Sequence, residues 1–92
     1  MNKTRITIES AARLGFKEYP DLYKMGIKEI YPNFIILVSD DKKFELRKIE
    51  NNIHYKYGWN LRVDNRNKQT IASCDVEYAE QVEIIMNLYK DY

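Results

Sequence analysis

The sequence predicts an α+β domain: an antiparallel β-meander of four to five strands, with a short N-terminal helix and a C-terminal helix packed on one face. Three observations carry this. From Ile53 to Val63 the chain alternates, with Ile53, Tyr55, Tyr57, Trp59, Leu61 and Val63 apolar and His54, Lys56, Gly58, Asn60 and Arg62 between them. Strand side chains point to opposite faces in turn, so this is a strand with one covered face and one wet face. Short apolar runs separated by charged or Asn-rich turns flank it on both sides. The last segment carries apolar residues at helical spacing.

Length and charge set the frame. A chain of 92 residues makes one domain, residues 1–92. Fifteen basic and 14 acidic residues leave a formal charge of +1, without the strong positive balance of most nucleic-acid binders. The single cysteine, Cys74, forms no internal disulfide and fits a reducing compartment. MNKTRITIES lacks the apolar region of a signal peptide, and the longest apolar run, Phe34 to Val38, is too short to span a bilayer. The expectation is a cytoplasmic protein that does not engage a membrane.

In chain order, Thr7 is placed to cap a short helix, with Glu9 in its first turn and Gly15 just past its end. Ile8, Ala11, Ala12 and Leu14 supply its apolar side, and Ile6 and Phe16 bracket it as anchors. Phe16 to Pro32 reads as a loop followed by a first strand around Ile27 to Tyr31, with a helical turn near Asp21 to Lys24 as the alternative. Phe34 to Val38 and Phe44 to Ile49 form a hairpin around the charged turn Asp40 to Lys43. Asn51-Asn52 turns the chain into the alternating strand. Asp64 to Lys68 is the next turn, and Gln69 to Ser73 the last strand. Asp75 is expected to cap the closing helix, with Glu77 in its first turn. Tyr78, Val82, Ile85 and Tyr89 form that helix's inner stripe, which Ala79 and Met86 widen. Ile84 and Leu88, four apart on a second flank, read as the margin of a wide buried face, the alternative being a small exposed patch. Both helices are expected on the sheet face carrying Tyr55, Tyr57, Trp59, Leu61 and Val63.

No residue pattern carries catalytic chemistry. His54 is the only histidine and reads as an exposed side chain without a metal partner. Cys74, ahead of a helix, is a conceivable reactive thiol, but reads first as a small buried hydrophobe. Gly15, Gly26 and Gly58 are isolated, so no glycine-rich phosphate-cradling loop is expected. No cofactor or metal is implied. Two surfaces remain. A bulge at Gly58 would turn Trp59 outward, so that Tyr57, Trp59 and the turn residues Asn65, Arg66 and Lys68 form a protein contact surface. Alternatively, Arg47, Lys56, Asn60 and Arg62 make a basic sheet face for a phosphate backbone.

The opening ITIESAARLGFKE and the closing VEYAEQVEIIMNLY resemble short uncharacterised proteins of bacteriophages and mobile elements. Those often begin with a capped turn ending in Leu-Gly-Phe, run through tyrosine-rich strands and close on Leu-Tyr. Leu14-Gly15-Phe16 and Leu88-Tyr89 are the matching residues here. The resemblance covers both ends of the chain and carries over no functional residue. It implies that small inhibitors of host defence, anti-CRISPR-like proteins among them, are candidates. The expected function is therefore a non-enzymatic protein-binding module, for which the resemblance implies such an inhibitor, with nucleic-acid binding as the alternative. A homodimer is compatible with either.

Overall fold

The computed structural model describes residues 3–19, 35–48 and 58–92. They contain two helices, α1 (Ile8–Arg13) and α2 (Ala79–Tyr89). The strands are β1 (Phe16–Glu18), β2 (Ile35–Ser39), β3 (Phe44–Lys48), β4 (Trp59–Asp64) and β5 (Thr70–Val76). They form one sheet in the order β1-β2-β3-β4-β5, every neighbour antiparallel. This is the expected meander with its two helices. The strand expected at Ile27 to Tyr31, the turn at Asn51-Asn52 and the first half of the alternating strand, Ile53 to Tyr57, lie outside the described residues.

The register explains the core. Leu37, Leu46, Leu61 and Cys74 stand opposite one another across four strands. Phe44, Val63 and Ala72 form a second row, and Trp59 faces Val76. Directly opposed side chains share a face. These residues, with Phe16, Ile6, Ala11 and Val82, make one buried cluster under the helices. In β4 the alternation is complete: Trp59, Leu61 and Val63 are buried, and Asn60, Arg62 and Asp64 are half-buried.

Thr7 caps α1 as expected. Its Oγ1 accepts from the Ser10 N–H (3.0 Å), and the Ser10 hydroxyl accepts from the Thr7 N–H (2.8 Å). This reciprocal pair satisfies two N–H groups that the helix leaves free. It also turns Ser10 inward; of the expected stripe Ala11 is buried and Leu14 packs against the core, while Ile8 is half exposed and Ala12 is exposed. Gly15, at φ +95°, ends the helix and releases Phe16 into β1. That three-residue strand stands where a loop was expected, and pairing with β2 makes it a strand.

The chain starts against the opposite edge. Arg5 bridges Tyr78, the Ile6 N–H donates to the Glu77 carbonyl (3.3 Å), and the Ala79 N–H donates to the Thr4 carbonyl (2.8 Å). The α1 segment therefore carries the chain from the β5 edge to β1.

Asp75 does not cap the closing helix. Strand β5 runs on through Val76, which is buried opposite Trp59, so the helix starts only after Tyr78. Gln81 serves the helix start instead: its Oε1 accepts from the N–H groups of Glu77 (2.9 Å) and Tyr78 (3.0 Å). The acid in the first turn is Glu80, not Glu77. Val82 is fully buried, and Ile85, Met86 and Tyr89 pack against the core. The helix docks by this narrow seam, and Ile84 and Leu88 stand 61% and 67% exposed rather than buried.

Candidate functional site

The second sheet face combines two rows. One contains Lys17, Val38, Glu45, Arg62 and Ser73; the other contains Ile36, Arg47, Asn60 and Asp75. It is not simply a wet face, because Ile36 and Val38 are buried on it. Strand β2 is thus apolar on both sides, as its unbroken Ile-Ile-Leu-Val run requires.

Arg47, Asn60 and Arg62, the expected phosphate contacts, do meet here, but their partners are internal. Arg62 Nη2 lies 2.8 Å from Glu45 Oε2, and its Nε lies 3.4 Å from Asp64 Oδ1. Arg47 Nε donates to Glu45 Oε1 at 3.1 Å. The Asn60 amide donates to Asp75 (3.3 Å) and accepts from Ser73 (3.1 Å). The Arg47 and Arg62 side chains are 31% and 32% exposed, so the carboxylates beside them offset much of the charge a phosphate would meet. Lys56 lies outside the described residues.

The expected protein-contact set is divided. Trp59 is 5% exposed and packs in the core on the other face, as the alternation predicts, and the alternative outward turn at Gly58 does not occur. Gly58 takes a positive φ of +83°, but the register irregularity of β4 falls at Val63/Asp64. Asn65, Arg66 and Lys68 do lie together, in the β4–β5 turn. Asn65 holds that turn, its Oδ1 accepting from the N–H groups of Asn67 (2.9 Å) and Gln69 (3.0 Å). Tyr57 and His54 lie outside the described residues.

In a meander the β2–β3 and β4–β5 turns fall at the same end of the sheet, and here a hydrogen bond from the Asp64 N–H to the Lys43 carbonyl (2.8 Å) ties them together. A cleft of about 670 Å³ opens there, lined by both turns, by Tyr19, and by Lys90 and Tyr92 beyond α2. The lysines of the first turn and Lys90 were not singled out in the sequence, where Asp40 to Lys43 reads as a solvated loop.

Asp41 organises the first turn. Its Oδ1 accepts from the Ser39 hydroxyl (2.6 Å) and the Lys43 N–H (3.0 Å). Partial burial pushes its carboxyl up, but these two bonds and the Lys43 charge outweigh that and hold it below its usual 3.8. A carboxyl depressed by folding adds stability above the usual value and loses it as pH falls through the folded value. Asp41→Asn should therefore lower the urea midpoint at neutral pH, and the gap to the parent should close as pH drops below that value. Urea titrations at neutral and strongly acidic pH check this; a constant gap would contradict it.

Cys74 is partly buried in the core row, and burial together with Asp75 pushes its thiol up, toward the unreactive protonated form. The described residues hold no group of three or more His, Cys, Asp or Glu side chains that could bind a metal. Among them, no helix is long and apolar enough to cross a membrane. No family model, no curated protein and no solved structure matches the chain.

Proposed function

We propose that the chain is a non-enzymatic protein-binding module whose contact surface is the outer flank of α2. The observation that carries this is the run of Ile84, Leu88 and Tyr92, 61%, 67% and 60% exposed at four-residue spacing. Single exposed apolar residues are ordinary. A row of them on one helical flank has the form of anchors that enter an apolar groove on a partner. Tyr92 continues the row past the helix end, with its ring 5.5 Å from that of Tyr89. The resemblance of the chain ends to small phage and mobile-element proteins supports a host factor, such as a defence protein, as the partner. The nucleic-acid reading finds less support, because Arg47 and Arg62 are engaged by carboxylates.

The test is affinity capture with the parent protein and with Ile84→Glu/Leu88→Glu, after nuclease treatment and at high salt. Both changes are at solvent-facing positions, so the urea midpoint should move by no more than about 0.5 kcal/mol equivalent. A protein held by the parent and retained roughly tenfold more weakly by the double variant is the expected result. Capture that vanishes with nuclease, or that ignores the double variant, would refute the reading.

A further inference from the structure

We propose that the cleft between the β2–β3 and β4–β5 turns binds a small polyphosphate anion. The cleft shares only Tyr92 with the α2 contact surface, and its charged groups play no part in that surface.

The first support is charge. Six cations and three carboxylates line the cleft, a local +3 against +1 for the whole chain. The three carboxylates are already engaged. Asp41 is held by Ser39 and Lys43, Glu45 by Arg47 and Arg62, and Asp64 by Arg62 and the Thr70 hydroxyl. Lys42, Arg66, Lys68 and Lys90 make no ion pair among the described residues. The cleft thus gathers unpaired cations around carboxylates that already have hydrogen-bond or ion-pair partners, and the net positive charge raises the local concentration of an anion.

The second support is the backbone. Lys42 and Lys68 sit at φ +60° and +62°, one in each turn. A side chain in that region costs about 1 kcal/mol that glycine avoids, and glycine or asparagine is the usual occupant. Both turns carry lysine at this position, and both lysines line the same cleft. Residues held in unfavourable backbone regions cluster at ligand sites.

The shape favours a small ligand over a strand of nucleic acid. A volume of about 670 Å³ falls within the range of small-molecule sites. The sheet face that would prolong a phosphate track is self-paired. The C-terminal end of α2 presents the negative end of its dipole, which places the anion nearer the two turns. Tyr19 and Tyr92 add ring surface, so an inorganic triphosphate and a nucleoside triphosphate share the chemistry required.

Calorimetric titration of tripolyphosphate and of ATP into the parent, Lys42→Gly, Lys68→Gly and the double variant at physiological salt tests this. Glycine removes the charge while suiting the backbone, so the denaturation midpoint should hold. Binding should weaken about tenfold or more with each change, as for the loss of a charge-assisted contact. Equal affinity for the two ligands would mean that phosphates alone are recognised, and tighter ATP binding that a ring contributes; both support the proposal. Four results would overturn it: no binding of either ligand, binding untouched in the double variant, affinity for single-stranded oligonucleotides that exceeds that for triphosphate and grows with length, or binding of an acidic peptide alone.

Discussion

Leu61→Ala will cost about 3 kcal/mol of folding stability, within the range seen when a buried leucine is cut back to a methyl group. Leu61 is fully buried, between Leu46 on β3 and Cys74 on β5. Both neighbours are fixed by strand pairing, so the sheet has little freedom to close over the void. Domains of this size have roughly 5–15 kcal/mol in total, so one side chain represents a large share of the margin. Urea unfolding measures it directly. A loss under about 1 kcal/mol would mean that the Leu37–Leu46–Leu61 row is not the centre of the core. Ile84→Ala, on the exposed flank of α2, is the matching control and should change stability by no more than about 0.5 kcal/mol.

Arg62→Met will cost about 2 kcal/mol, the scale of a hydrogen-bonded charge removed from a half-buried site. Arg62 stands between Glu45 and Asp64, whose side chains are 14% and 16% exposed. Removing the guanidinium leaves two carboxylates on neighbouring strands without the cation between them. Glu45→Gln should then recover part of the loss, and a double-mutant cycle should return a coupling of about 1 kcal/mol. Additive losses would mean that Arg62 contributes mainly through its aliphatic stem. The same cycle bears on the basic-face reading, because a phosphate would compete with these carboxylates for Arg62.

Much of this fold was legible because the strongest signals were periodic. Trp59, Leu61 and Val63 alternate with Asn60, Arg62 and Asp64, and period-two alternation has one structural meaning. Thr7 and Gly15 mark helix ends through their own chemistry. The misreadings share a cause: a neighbour in space decided the outcome. Phe16 to Glu18 has no strand pattern of its own and becomes β1 by pairing with β2. Asp75 has the chemistry of a cap, but Val76 is needed opposite Trp59, and the strand therefore continues. Ile84 and Leu88 look like core margin until the helix is seen to dock by Val82 alone at full burial. The turn cleft was less legible still. A lysine at positive φ leaves no mark in a sequence, and residues from Tyr19 to Tyr92 meet there only after the meander has formed.

The pairing of Thr4 to Ile6 with Glu77 to Ala79 has a kinetic consequence. These partners stand at opposite ends of the chain, the Thr4 N–H reaching a Glu80 side chain 76 positions away. Contacts of such separation are slow to form, because a long loop must close before they are rewarded. During synthesis the β2–β3 hairpin can assemble as soon as it leaves the ribosome, since its partners are close in sequence. Thr4 to Ile6 find their partners only once Glu77 to Ala79 have been made. Until then the Ile6 N–H lacks its Glu77 partner, and the segment Glu77 to Ala79 lacks the backbone partners that Thr4 to Ile6 later supply.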